Sequence, residues 1–278
     1  MDINWYPGHM TKAKRQLKDK LKIIDLIIEV ADARAPAATL NPDFDDLFKG
    51  KRRVIVLNKR DLADSALTKE WQVNLEKKGF KVYPFSCMAD SPKKLVSAIN
   101  SAVEDIVSAM KEKGVNKTIR AMVFGIPNVG KSALLNRLAG QKRLKEGNKP
   151  GVTKGLQWIH VTPYLELMDT PGILWPKIED RQTAVIIAVL GSIREEILDL
   201  AEIALVFIEM LKSIKPDAIK ERYKVNDLSK PPLGIMEEIC KKRGFVLSGG
   251  EYDYDRCAKT LLDEFRAGKL GQITLERP

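Results

Sequence analysis

Cysteine is scarce in this 278-residue chain. Cys87, Cys240 and Cys257 are scattered, with no CxxC pair, which excludes a disulfide framework and a cysteine zinc site. The two histidines, His9 and His160, give no HxxxH spacing. Long apolar runs are also missing. The longest, 184–190, has seven residues, against the roughly 20 needed to span a bilayer. No basic stretch followed by an apolar run opens the sequence, so no secretory leader is predicted and a cytoplasmic location is expected.

What is present fits one large domain or two ordinary ones. Charged residues make up 30% and hydrophobic ones 44%, the balance of a globular chain rather than a disordered or membrane one. Lys and Arg number 47 against 37 Asp and Glu, a net charge of +10. Such an excess suits a polyanionic partner, and it also serves solubility alone.

The patterning predicts a helix over Thr11–Lys22, with six basic residues and one acid. Strands are predicted at Ile23–Ala31, Arg53–Leu57, Lys81–Phe85 and Ile119–Phe124, followed by a strand pair at Gln157–Thr162 and Tyr164–Met168. Their near-continuous apolar character suits strands buried on both faces. Helical periodicity covers Leu67–Lys78, Pro92–Lys113 (with Ser91 as N-cap) and Lys131–Leu138. Strands alternating with helices mean an α/β fold with a mostly parallel sheet. After about Trp175 the pattern becomes helical, at Arg181–Leu190, Ile193–Leu200, Ile203–Ile214, Pro232–Arg243 and Asp255–Ala267.

The strongest chemical signal is Gly125-Ile126-Pro127-Asn128-Val129-Gly130-Lys131-Ser132, a G-x-x-x-x-G-K-[ST] phosphate loop between a strand and a helix. Its glycines let backbone N–H groups turn inward, and the helix N-terminus adds positive potential. The groups from Asn128, Val129 and Gly130 through to Ala133 are expected to bind the nucleotide. Lys131 is expected to bridge the β- and γ-phosphates and Ser132 to ligate Mg²⁺. Asp169-Thr170-Pro171-Gly172 follows 44 residues after Gly125. There Asp169 can hold the Mg²⁺ shell through a water, and the Gly172 N–H can meet the γ-phosphate. Between them, Thr153 in Pro150-Gly151-Val152-Thr153 is placed to offer its hydroxyl to Mg²⁺.

Base choice needs a further element. Asn58-Lys59-Arg60-Asp61 is N-K-x-D after a strand. The Asp61 carboxylate can accept from both the N1–H and the N2 amine of guanine, a donor pair that adenine lacks. That disfavours an adenine-specific NTPase. Asn58 braces the loops or contacts the base edge, and the Lys59 stem lies along the base face. Ser86-Cys87 stands where a backbone N–H can meet guanine O6.

The order of these motifs is informative. An ordinary small GTPase has its phosphate loop and DxxG first and NKxD later. Here NKxD (58–61) comes before the loop (125–132), and nothing like it appears after residue 172. The expected fold is therefore α/β. A circularly permuted Ras-like G domain spans 1–176, with a mostly parallel sheet and helices on both faces. An all-helical C-terminal domain spans 177–278. Such permutation is physically reasonable because domain termini often lie close together at the surface. DxxG then runs through Ile173-Leu174-Trp175-Pro176 into the helical domain, a short tether that could transmit γ-phosphate capture.

The set NKRD, GIPNVGKS, PGVTKG and DTPGILWPK, with WYPGHMTKAKR at the start and KRG…SGG…YD near the end, resembles the bacterial ribosome biogenesis GTPase A family over the whole chain. The resemblance implies a GTPase in late assembly of the large (50S) ribosomal subunit. GTP would favour the ribosome-bound state and the ribosome would stimulate hydrolysis. The implied partners are GTP/GDP and the large subunit with its rRNA; no membrane span is expected, and off the ribosome the chain is expected to be a monomer. A nucleotide-gated RNA-binding adaptor with incidental hydrolysis is the alternative.

Many GTPases orient the attacking water with a glutamine directly after DxxG. This chain has Ile173, which cannot hold water. His9, in Tyr6-Pro7-Gly8-His9-Met10, is the candidate replacement, with an imidazole suited to positioning water. The resemblance points to it as well; a histidine that only caps or packs is the other reading. The expected catalytic set is thus His9, Lys131, Thr153 and Gly172. His160, in a strand pattern, reads as structural. Asn128 in the loop suggests K⁺ near the phosphates, as in similar GTPases.

The charge can be located. Residues 1–173 carry 30 basic and 19 acidic residues; 174–278 carry 17 and 18. The surplus lies in the helix after His9 and in 111–160, which includes Arg137, Lys142, Arg143, Lys145, Lys149 and Lys154. This predicts a polyanion-facing surface on the G-domain side.

Overall fold

In the computed structural model, the described residues are 17–40, 44–140, 157–174, 178 and 180–278. Six strands form one sheet: β1 (Leu26–Asp32), β2 (Arg52–Asn58), β3 (Lys81–Pro84), β4 (Ile119–Phe124), β5 (Gln157–Thr162) and β6 (Leu165–Asp169). Their order is β3-β2-β1-β4-β6-β5. All neighbours pair in parallel except β5, which runs antiparallel to β6. The first three strands fill one half of the sheet and the last three the other. The two halves meet where β1 pairs with β4, Leu26 opposite Ala121 and Glu29 opposite Phe124.

The helices are α1 (Pro36–Thr39), α2 (Ser65–Lys77), α3 (Pro92–Ala102), α4 (Glu104–Glu112), α5 (Lys131–Ala139), α6 (Arg181–Val189), α7 (Leu200–Ile214), α8 (Pro216–Tyr223), α9 (Pro232–Arg243) and α10 (Tyr254–Arg266). Both faces of the sheet are covered, as the continuous apolar runs require. Leu26, Ile28, Val30, Val54, Val56, Ala121 and Val123 pack on one face with Leu95 and Ile99 of α3 and Leu134 and Leu135 of α5. On the other face, Ile55 and Leu57 meet Trp71 and Leu75 of α2. Ile27, Met122 and Phe124 meet Leu17, Phe44 and Phe48 there.

The first apolar cluster continues from the sheet through α6 into the C-terminal helices. Val185–Val189 are all buried. Beyond them, Phe207 of α7 packs at a tilt against Phe265 of α10 with ring centroids 4.9 Å apart. Among the described residues no helix is long and apolar enough to cross a membrane.

Several elements differ from the patterning. The first strand begins at Leu26 rather than Ile23, because Leu21–Ile23 forms a 3-10 turn that leaves Ile23 exposed. Of Thr11–Lys22, residues 17–20 are helical and 11–16 lie outside the described residues. The helix expected over Pro92–Lys113 breaks at Val103, whose φ of −125° and ψ of 10° leave the helical region so that its side chain can bury. Ser91 has an N-cap backbone conformation, but its side chain caps nothing. Ile193–Leu200 is not a helix. Only a 3-10 turn, Glu195–Ile197, forms there, because Asp199 caps a new helix by accepting from Glu202 N at 2.9 Å. Pro216 opens α8, a helix the patterning did not predict.

The chain ends on the sheet side of the molecule. Ile273 N donates to Leu62 O at 3.0 Å and Leu275 N to Arg34 O at 2.7 Å. Thr274 Oγ1 accepts from Asp64 N at 3.0 Å. The Glu276 carbonyl accepts from Trp71 Nε1 at 3.1 Å. Its carboxylate accepts from Ala37 N at 2.9 Å and Ala38 N at 3.0 Å.

Burial pushes the Glu276 carboxyl up to about 7, with Asp180 adding to the shift and the two N–H groups opposing it. A carboxyl raised in the fold binds protons more tightly there than in the unfolded chain. Its contribution to stability is therefore whole below about pH 4.5 and is lost as pH rises through about 7. Urea unfolding across that range should show the decline, and Glu276→Gln should remove roughly 1–3 kcal/mol of it. An unchanged pH profile in Glu276→Gln would contradict this account.

Candidate functional site

Parallel strands end at the same edge of a sheet, and ligands bind in the crevice there. At that edge β4 runs into 125–130, β2 into 58–61, β6 into 169–172 and β3 into 85–87. The register places Asp32 opposite Asn58 and Val123 opposite Asp169. The motifs scattered along the chain therefore lie side by side.

The loop 125–132 wraps ahead of α5. Gly130, with φ of 98°, takes a left-handed conformation that a side chain would strain, and a Cβ there would also collide with the Asn58 amide. Lys131 is buried, and its Nζ donates to Ile126 O at 2.9 Å. Burial pushes its ammonium down to about 8, while the nearby Asp169 carboxylate pulls it back up. Ser132 and Ala133 lie half-buried in the first turn of α5.

Asn58 and Lys59 fasten the second loop to the first. Asn58 is buried; its Nδ2 donates to Val129 O at 2.8 Å, and its Oδ1 accepts from Cys87 Sγ at 3.3 Å. Lys59 takes a left-handed φ of 59° and donates from Nζ to Asn128 O at 2.6 Å. Asp61 lies half-buried in the turn Arg60–Leu62, and its carbonyl accepts from Gln272 Nε2 at 3.2 Å. Ser86 is buried, with its N–H donating to Asp90 at 2.8 Å and its Oγ accepting from Ala89 N at 3.0 Å.

Asp169 is fully buried at the end of β6, and Thr170 Oγ1 donates to Val123 O at 2.8 Å. Gly172 comes so close to the phosphate loop that a Cβ would lie 2.7 Å from the Pro127 Cα and N. Only a glycine allows that approach. Among the described residues no three His, Cys, Asp or Glu side chains gather to hold a metal. The Ser132 hydroxyl and Asp169 carboxylate are hard oxygen donors. They fit Mg²⁺, which commonly takes one or two protein ligands and completes its shell with water and phosphate.

His9, Thr153, Lys142, Arg143, Lys145, Lys149, Lys154, Trp175 and Pro176 lie outside the described residues. His160 is exposed on β5, its Nδ1 3.1 Å from Glu166 Oε1.

Motif reading overlooked Asp32-Ala33-Arg34, at the end of β1 between the two loops. Asp32 and Arg34 are each 1% exposed. Arg34 donates from Nε at 2.9 Å and from Nη2 at 2.7 Å to the two Asp32 oxygens, and Lys59 Nζ lies 2.9 Å from the same carboxylate. Burial alone would raise the Asp32 carboxyl, but Arg34 and Lys59 overcome it and hold it below the usual carboxylate range. The other side of the Arg34 guanidinium meets the Phe265 carbonyl and lies over its ring. The available signal was an acid and an arginine at the end of a largely apolar strand.

A family model described as 50S ribosome-binding GTPase matches residues 120–237. Ribosome biogenesis GTPase A of Bacillus cereus is 42% identical over 280 residues, covering 100% of this chain and 95% of that protein. The protein of that name from Thermotoga maritima is 32% identical, covering 99% of this chain and 95% of its own length. Among solved structures, GNP-bound YlqF from T. maritima aligns with a TM-score of 0.68 at 29% identity, covering 96% of this chain and 98% of that one. A GDP-bound YlqF structure gives 0.69 at 29% identity, covering 95% and 99%.

Removing one partner from a buried ion pair leaves an uncompensated charge. Asp32→Asn should therefore lower unfolding free energy by about 3–5 kcal/mol in urea titrations. A loss below about 1 kcal/mol would mean that Arg34 and Lys59 do not depend on this carboxylate.

Proposed function

The chain belongs to the ribosome biogenesis GTPase A family, and from that premise we propose that it acts in late maturation of the large (50S) ribosomal subunit, with the subunit stimulating its turnover. It is a GTP hydrolase of ribosome assembly with a circularly permuted G domain. The observation that carries the reading is the direct bonding of the two loops. Asn58 and Lys59 hold Val129 and Asn128, so a base at the first loop and phosphates at the second can belong to one nucleotide.

The residue roles form part of the proposal. Asp61 accepts from guanine N1–H and N2. Lys131 bridges the β- and γ-phosphates, and Gly172 N–H meets the γ-phosphate. Ser132 and Thr153 would hold Mg²⁺, and Asp169 would support it through a water. The ion would supply neutralisation of the charge that builds on the phosphate oxygens. His9 holds the attacking water, since Ile173 cannot. Water adds to the γ-phosphorus as the β–γ bridging bond breaks, yielding GDP and phosphate. K⁺ near Asn128 would add a second cation. The division at 176/177 separates the nucleotide-binding part from a helical part, and the basic surplus before it suits rRNA. We take the chain to be monomeric off the ribosome.

Co-sedimentation with large subunits tests the partner. Retention should be strong with a GTP analogue and weak with GDP or no nucleotide; equal retention in all three would overturn the gating. Turnover that does not rise with subunits would leave the RNA-adaptor reading instead. Asp61→Asn should shift preference from GTP toward xanthosine triphosphate, and an unchanged preference would remove Asp61 from the base site. His9→Ala should spare GTP binding and reduce subunit-stimulated turnover by about 10²-fold or more. Unchanged turnover would take His9 out of the reaction.

A further inference from the structure

Three successive carbonyls of the phosphate loop each accept from a side chain. Asn58 takes the Val129 oxygen and Lys59 the Asn128 oxygen. The third belongs to Pro127, and its partner comes from the turn after α6. Ser192, 2% exposed, donates from Oγ to Pro127 O at 2.8 Å. Beside it, the Asn128 side-chain amide donates to the Gly191 carbonyl.

A planar trans peptide points its C=O and the following N–H in opposite directions. Holding the Pro127 oxygen outward therefore aims the Asn128 N–H toward the other side, where the loop curls around phosphate. Lys59 and Asn58 do the same for the N–H groups of Val129 and Gly130. We propose that Ser192 is a positioning residue for the phosphate loop, completing the set that Asn58 and Lys59 begin.

The turn that carries Ser192 is itself held rigid. Gly191 N donates to Ala188 O at 2.9 Å and Ser192 N to Ile187 O at 2.8 Å. Arg266 of α10 donates to Val189 O at 2.8 Å and Ala188 O at 2.9 Å, closing the C-terminal end of α6, and it pairs with Glu195. A Cβ at Gly191 would lie 3.1 Å from Arg266 Nε, so the arginine packs directly on the turn. Ser192 thus stands on the C-terminal helices, which hold its hydroxyl against the loop. This rests on reading 125–132 as the phosphate loop of a guanine-nucleotide site.

The test is the dissociation rate of a fluorescent GDP from the full chain, with equilibrium unfolding measured alongside. Ser192→Ala leaves a buried carbonyl without its donor and should speed dissociation about tenfold. Ser192→Thr keeps the hydroxyl and should stay within about twofold of the unaltered rate. A merely structural hydroxyl would lower the unfolding midpoint and leave the dissociation rate alone. If Ser192→Ala fails to fold, Arg266→Lys carries the test, because it loosens the same turn and should also speed release. A folded Ser192→Ala, or Arg266→Lys in its place, that releases GDP at the unaltered rate overturns this proposal and leaves the site reading standing. No guanine-nucleotide binding by the unaltered chain overturns both.

Discussion

A loop that grips phosphate with backbone N–H groups must keep the carbonyls of the same peptides turned away. Buried carbonyls left without donors would cost about 1–3 kcal/mol each. The loop at 125–132 meets this constraint with side chains from elsewhere, as Asn58, Lys59 and Ser192 each hold one of its oxygens. Much of the surrounding architecture can be read as what brings those three donors to one place. β2 ends at Asn58, one strand beyond β1 from the loop strand β4, and α6 ends just before Ser192.

Beside Lys59 stands Asp32, at the end of the strand where the two halves of the sheet meet. Its burial is tolerable only because Arg34 and Lys59 flank it. Arg34 in turn reaches the Phe265 carbonyl, and the chain end bonds Arg34 and Leu62 through its backbone. That edge of the sheet is therefore buttressed from the C-terminal region at three points, Arg34, 61–62 and 127–128. A permuted chain gains from this. The chain joins the two halves of the sheet through residues 85–118, between β3 and β4, and packing from the C-terminal region adds a second tie.

How much of this was legible in the sequence follows from the range of each interaction. The phosphate loop, DxxG and NKxD could be read because their chemistry demands particular residue types at fixed local spacing. The central strands could be read because burial on both faces leaves them largely apolar. Val103 could not, since only the surrounding core rewards breaking the helix there. Ile193–Leu200 carried helical spacing, yet Asp199 found a better use as a cap. Ser192 and the closing segment were invisible for a different reason. Each is an ordinary residue whose role exists only through partners tens to hundreds of positions away, and no local pattern encodes such a match.

Pro127 is where these threads cross. Gly172 presses against its Cα and nitrogen, with no room for a Cβ, while Ser192 takes its carbonyl oxygen. Gly172 is the proposed sensor of the γ-phosphate, and Ser192 stands on the helices that follow it in the chain. In an unpermuted G domain the segment after DxxG leads back into the same sheet. Here only nineteen residues lie between Gly172 and Ser192, and both meet the same proline. A shift of the glycine on γ-phosphate loss and a shift of the helices on partner release would both be felt at one peptide. No long relay would lie between them, because Gly172 meets the Cα and nitrogen of the residue whose carbonyl oxygen Ser192 holds.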